Sequence, residues 1–119
     1  MRRGEVYDVR LAPTEGSEQA GIRPVIIVSR DAINANNQVV LAVPCTTYRL
    51  RKRIYPSQVL LRSPDGGLAQ DSVALGEQVR ALAKSRFLRL RGILSSSSLA
   101  QLDKALLIAL DLPGQVEFE

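Results

Sequence analysis

Seven short strand-like runs, each broken by turn residues, precede a single stretch of helical period in this 119-residue chain. Residues 5–11 alternate, with Tyr7, Val9 and Leu11 on one side and Val6, Asp8 and Arg10 on the other. Residues 24–29 read PVIIVS and residues 38–44 read QVVLAVP, β-branched runs suited to central strands. Residues 54–61 and 71–75 are further strands, separated by the turn signal Pro64-Asp65-Gly66-Gly67. Residues 78–82 and 89–94 add two more. Short strands at such close spacing predict a small barrel or a strongly bent sheet.

The helix follows Ser95-Ser96-Ser97-Ser98. Leu99, Leu102, Leu106, Ala109 and Leu110 share one face at 3.6 residues per turn. Ser95 is placed to cap the first turn, because its hydroxyl can accept from an otherwise orphaned N–H. Pro113-Gly114 ends the element, predicting a capped helix over about 96–111. The expected architecture is mainly β, with α+β character from this terminal helix. No repeat or linker divides the chain, and its length fits one domain, 1–119.

Composition limits the chemistry. There is no histidine, which excludes a Ser-His-Asp triad and an imidazole acid/base pair. A single cysteine with no histidine makes a zinc site unexpected. Arg, carboxylates, hydroxyls and Tyr remain for any catalysis near neutral pH. One cysteine cannot close an internal disulfide, which suits a reducing cytosol. MRRGEVYDVR lacks the apolar stretch of a signal peptide, and no apolar run approaches the ~18–20 residues of a membrane span. A cytoplasmic protein is expected.

The net charge is +4, and 13 of the 16 cations are arginines. The guanidinium fork suits phosphate, so the bias fits a polyanion partner as well as it fits a solvated surface. Two clusters stand out. Arg49, Arg51, Lys52 and Arg53 lie between two strands, flanked by Tyr48 and Tyr55. Lys84, Arg86, Arg89 and Arg91 form the second. Each is either a solvated face or a phosphate-tracking groove. The two tyrosines are either base-stacking platforms or cross-strand packing residues.

Between the first two strands runs a polar loop, PTEGSEQAGIRP, residues 13–24. It is longer than most connections in compact domains. Pro24 biases Arg23 toward an extended backbone, at the root of an apolar strand. A guanidinium fixed there can clamp an oxyanion, or can make a structural ion pair. Thr46 and Thr47 close the VPCTT segment, where a hydroxyl can donate to a phosphate or satisfy a turn. Cys45 reads as a small core residue. Glu77 and Gln78 either line a site or bridge strands.

These segments, in order, resemble the MazF/PemK toxin family. The likeness rests on Arg3-Gly4-Glu5-Val6-Tyr7 and on the GSEQAGIRPV string, residues 16–25. It continues through Val43-Pro44-Cys45-Thr46-Thr47, residues 71–75, Glu77-Gln78-Val79-Arg80 and the closing helix. It covers roughly residues 2–112. The resemblance implies an SH3-like barrel, a homodimer, and a metal-independent, cofactor-free endoribonuclease that cuts single-stranded mRNA at short sequences. It makes Arg23 and Thr46 the catalytic positions and puts Glu18, Gln19 and Gln78 near the same groove. The hairpin after Thr46 departs from the family pattern, so no RNA sequence preference carries over. RNA contacts are expected from Gln19, Thr47, Tyr48, Arg49, Arg51, Lys52, Arg53 and Gln78.

Metal-free RNA cleavage uses the ribose 2′-OH as nucleophile and leaves a 2′,3′-cyclic phosphate and a 5′-OH. The protein has to align the attack, stabilise charge and move two protons. Arg23 is the expected charge stabiliser, since its pKa above ~12 makes it a poor base. Thr46 is the expected hydroxyl donor, and Glu18 the expected proton acceptor. The alternatives are a non-catalytic gyrase-inhibiting toxin of the CcdB type and an SH3-like nucleic-acid-binding module. The expected protein partner is an antitoxin with an acidic, partly disordered tail, since a basic groove also fits an acidic peptide.

Overall fold

A computed structural model describes residues 1–11, 15–16 and 21–114. Seven strands are present among the described residues: β1 (Glu5–Arg10), β2 (Ile22–Ile27), β3 (Val39–Thr47), β4 (Gln58–Leu61), β5 (Ser72–Leu75), β6 (Arg80–Ala83) and β7 (Phe87–Ile93). Two helices accompany them, α1 (Asp31–Asn36) and α2 (Ser96–Ala109). All pairings are antiparallel, in the order β4-β5-β3-β2-β1-β7, with β6 added to β3. The result is the small, bent, mainly β architecture with a terminal helix that the strand spacing predicts.

β3 organises the sheet. Residues 39–42 pair with β6, residues 42–44 with β2, and residues 45–47 with β5. Side chains of β1, β2 and β3 alternate between two cores. Val6, Ile26, Val43 and Cys45 face α2, where Leu102 and Ala105 are buried against them. Val9, Val25 and Ala42 face the other way, with Leu11 and Leu82. Burial on both faces explains why PVII reads as a continuous apolar run rather than an alternating one. Tyr7 and Phe87 flank the second core, edge to face at 5.4 Å.

α2 is anchored at its start and at its middle. The Ser95 hydroxyl accepts from the Ser98 N–H at 3.3 Å, as expected of the cap. The Asp65 carboxylate then binds the cap itself, accepting from the Ser95 N–H at 2.8 Å and from the Ser95 and Ser98 hydroxyls at 3.0 and 2.5 Å. Asp65 sits in a 3-10 turn, Asp65–Gly67, pressed against β7. A Cβ on Gly67 would lie 2.2 Å from the Arg91 carbonyl oxygen, and its φ of +72° already favours glycine. Further along α2, Asp103 pairs with the Arg3 guanidinium, whose Nε also donates to the Val28 carbonyl at 3.1 Å.

Several boundaries differ from the sequence reading. β4 starts at Gln58, not at 54, because a turn at Tyr55 intervenes, with the Gln58 N–H donating to the Tyr55 carbonyl at 2.8 Å. A 3-10 turn, Gly76–Gln78, delays β6 to Arg80. β3 runs on through Pro44 to Thr47. Helix α1 carries no apolar period to signal it. It is held by the buried Asn34, which hydrogen-bonds the Ser29 hydroxyl and donates to the Ser29 carbonyl.

Burial raises the Asp65 carboxyl, but the hydrogen bonds from Ser98, Ser95 and Gly66 outweigh it and hold the group below the ordinary carboxylate value. A depressed pKa stabilises the fold above the unfolded value, about 3.9, and the stabilisation fades as pH falls through the folded one. Asp65→Ala should therefore cost about 1–2 kcal/mol at pH 7. Denaturant unfolding at several pH values checks this: the gap from wild type should narrow below about pH 4.

Candidate functional site

The site begins where the sheet divides. Val25 of β2 pairs with Pro44 of β3. Beyond that pair, β2 keeps to β1, with Arg23 opposite Val9, whereas β3 passes to β5, with Thr46 opposite Val73. Arg23 lies two residues before Val25, and Thr46 two after Pro44. The two-residue period puts both on the face of Val25 and Ala42, and the same register sets them opposite each other across the parting strands. Both are half-buried.

A groove adjoins this point. Its larger part, about 420 Å³, is lined by Leu11, Pro44, Val79 and Arg80, and its smaller part, about 260 Å³, by Thr46, Arg53, Tyr55 and Gln58. Glu77 and Gln78 line both parts and so join them. They are carried by the Gly76–Gln78 turn, which is held close to the neighbouring loop: the Gly76 N–H donates to the Ser57 carbonyl at 3.0 Å. The Glu77 carboxylate accepts from Gln58 Nε2 at 2.6 Å and from the Ser57 hydroxyl at 3.4 Å. Glu77 thus lines the groove and also bridges to Gln58.

The other expected residues divide between places. Lys52 and Arg53 reach the smaller cavity, while Arg49 and Arg51 are exposed on the loop after β3. Tyr48 and Tyr55 each have an arginine beside the ring. Arg53 lies 5.0 Å from the Tyr55 ring centroid, and Arg62 lies 5.7 Å from that of Tyr48. Arg62 is itself paired with Asp71 at 2.9 Å. The backbone N–H of Ser63 and then Arg62 lower the Asp71 carboxyl below its usual value. Thr47 turns to the face opposite Thr46. It donates to Gln70 at 3.3 Å and lines a separate recess with Pro24 and Arg91. Glu18 and Gln19 lie outside the described residues.

The second basic cluster is occupied by the protein's own acceptors. Arg91 and Arg89 converge on Asp8 at 2.6 and 3.3 Å, and Arg91 also donates to the Gly67 carbonyl at 3.3 Å. Arg86 donates to the Arg10 carbonyl at 3.2 Å, and Lys84 to that of Asn34. These contacts make the cluster a self-paired surface, which neither of the two readings open for it, a solvated face or a phosphate-tracking groove, had named. Gln58 is a groove residue the sequence reading did not single out. Its position, two residues after a Tyr-Pro turn at the start of a strand, was the available signal.

A family model for PemK-like, MazF-like toxins of type II toxin–antitoxin systems matches residues 2–110. Endoribonuclease MazF9 of Mycobacterium tuberculosis (strain ATCC 25618 / H37Rv) is 44% identical over 117 residues, spanning 94% of this chain and 98% of the relative. An endoribonuclease solved in complex with its cognate antitoxin, from a mycobacterial species, superposes with a TM-score of 0.79 at 28% identity, over 95% of this chain and 97% of that one. MazF (Form-I) from Deinococcus radiodurans gives a TM-score of 0.79 at 26% identity, over 94% and 97%.

Cys45 lies beside Thr46 in sequence but faces the core under α2, fully buried. Burial pushes its thiol up to about 12. A thiol alkylating reagent at pH 8 should leave the folded protein unmodified and label it only in denaturant, followed by intact mass. Rapid labelling of the native protein would contradict this placement.

Proposed function

The chain belongs to the family of PemK-like, MazF-like toxins of type II toxin–antitoxin systems, and on that premise we propose that it is an endoribonuclease cutting single-stranded mRNA by attack of the ribose 2′-OH. The observation that carries the reading is the register placing Arg23 and Thr46 on one face, across the parting of β2 and β3 and beside a groove.

In-line attack forms the 2′-oxygen–phosphorus bond and breaks the bond to the 5′-oxygen. Negative charge builds on the non-bridging oxygens. Arg23 neutralises it as a permanent cation, and the Thr46 hydroxyl donates to one of the same oxygens. The 2′ proton passes to an acceptor, for which Glu18 is our assignment, and the departing 5′-oxygen takes a proton from water. Substrate supplies the nucleophile and Arg23 the countercharge, so the proposed reaction requires no metal. Strand ends on a packed sheet suit this work, because small shifts in alignment are costly.

RNA would lie along the groove joined by Gln78, with Lys52, Arg53, Tyr48, Arg49, Arg51, Gln19 and Thr47 as the wider set of proposed contacts. For Thr47, whose side chain leaves on the opposite face, the contact would be made at the separate recess. We further propose a homodimer acting in the cytoplasm, and an antitoxin whose acidic tail occupies the basic groove. One structurally similar endoribonuclease was solved with its cognate antitoxin. No helix of the described residues is long and apolar enough to cross a membrane.

Incubation with a long single-stranded RNA in EDTA tests the reading, with discrete cuts ending in cyclic phosphate as the expected result. Arg23→Ala should fold normally and lose on the order of 10²-fold or more in rate. Thr46→Val, nearly unchanged in volume, should also be slowed. Intact RNA with a shifted gel band would indicate a binding module instead, and near-wild-type cutting by folded Arg23→Ala would remove Arg23 from the mechanism.

A further inference from the structure

We propose that Asp8 and Arg91 are a positioning pair for the reaction, a strut on the far face of the sheet that fixes the start of β2 and with it Arg23. The proposal rests on the ribonuclease reading above and adds to it two residues that act without touching substrate.

Backbone ties are weak around Asp8. Its partner on β2 is Pro24, which has no N–H to give to a strand on either side. On its β7 side the register shifts between Val6 and Tyr7 and again between Asp8 and Val9, so the ladder is irregular before and after Asp8. Bulges in a ladder re-aim side chains and are common beside active sites. This stretch adjoins the site, because Val9 and Arg23 form the next pair along the same two strands. The pleat sends Arg23 to the groove face and leaves Asp8 and Pro24 on the opposite one.

Side chains supply the missing ties. The Asp8 carboxylate accepts from Arg91 Nε at 2.6 Å and lies 3.3 Å from the Arg89 guanidinium. Arg91 Nη1 donates onward to the Gly67 carbonyl at 3.3 Å, so β1, β7 and the Asp65–Gly67 turn meet on one planar group. The Asp8 and Arg91 side chains are only 14% and 20% exposed, and a sheltered pair is screened less than one on open surface. Arg91 also lines the recess of about 200 Å³ behind the parting, which Pro24, Thr47 and Ser72 line with it. There the Thr47 hydroxyl donates to Gln70 at 3.3 Å and the Ser72 hydroxyl to the Gln70 carbonyl at 2.9 Å, which ties the end of β3 to the loop before β5. Each of the parting strands is thus braced from behind, β2 by the ion pair and β3 by the amide.

Asp8→Asn keeps the size and removes the charge. Arg91→Lys keeps the charge and loses the planar fork that joins Asp8 to the Gly67 carbonyl. Asp103→Asn, which breaks the pair with Arg3 under α2, is the control for lost stability alone. For each, kcat and KM are measured on a short single-stranded RNA spanning a sequence that wild type cuts, well below the melting temperature of the variant. Asp8→Asn should lower kcat roughly 10- to 100-fold, as small misalignments do, and leave KM within about 2-fold of wild type. Arg91→Lys should lower kcat several-fold, and Asp103→Asn should cut as wild type however far its melting temperature falls. The double variant Asp8→Asn/Arg91→Lys should be little slower than Asp8→Asn, because the pair acts as a unit. If Asp8→Asn does not fold, Arg91→Lys alone decides. Wild-type kcat in either folded variant, or an equal fall of kcat in Asp103→Asn, would overturn the strut and leave the ribonuclease standing. RNA left intact by wild type would instead overturn the ribonuclease reading, and the strut with it.

Discussion

β3 cannot stay paired with β2 beyond Pro44, and the site depends on that. A strand has two edges. β6 and β5 share one edge of β3 in succession, and β2 holds a short length of the other. At the parting, each strand carries a proline, Pro24 on β2 and Pro44 on β3, and neither can donate a ladder hydrogen bond. β2 continues with β1 while β3 swings to β5. The pleat continues on each strand, so Arg23 and Thr46 keep to one face as the strands separate. A continuous ladder at this point would have kept the two strands together and left no opening between them.

Holding such a seam open requires a rigid surround. Two cores supply it, one on each face of β1, β2 and β3. The α2 side is closed by polar anchors at long sequence range. Asp65 reaches Ser95 and Ser98 at the start of the helix, and Arg3 reaches Asp103 further along. Gly67 lets the intervening turn touch β7 at a distance that a side chain would forbid. None of these groups lines the groove. They hold the sheet curvature that presents it, so substitutions there act on stability first and on the site only through it.

The strands and the capped helix were legible because period and turn chemistry are local. Ser95 is the clearest case, read from four serines before an apolar period and found accepting from Ser98. The role of the second basic cluster was not legible. Arg91 and Asp8 stand 83 positions apart, and only the β1–β7 pairing brings them together. Helix α1 was hidden for a related reason, since it is anchored by a buried Asn34 rather than by an apolar stripe. Thr46 and Thr47 are instructive in another way. Neighbours on a strand face opposite sides, so the period already implied that only one of them could share a face with Arg23. The family resemblance had already singled out Thr46; the geometric reason lies in the β2–β3 register, which no single-strand pattern contains.

Thirteen arginines on a chain of net charge +4 suggest a uniform basic surface, and the structure shows a division instead. Arg3, Arg62, Arg89 and Arg91 are paired with carboxylates of the chain itself. Arg49, Arg51, Lys52 and Arg53 are concentrated on one exposed loop beside the groove. The same division bears on the missing histidine. No side chain here has an ordinary pKa near 6.5, so none is suited by default to exchange protons at neutral pH. The site proposed on Arg23 and Thr46 would present instead a guanidinium and a hydroxyl, groups that stabilise charge by donating hydrogen bonds. In the proposed reaction, proton movement would fall to a carboxylate, solvent and the substrate's own hydroxyl. A site of that proposed kind would do most of its work by alignment, so the rigidity of the parting strands would matter more than the strength of any acid or base.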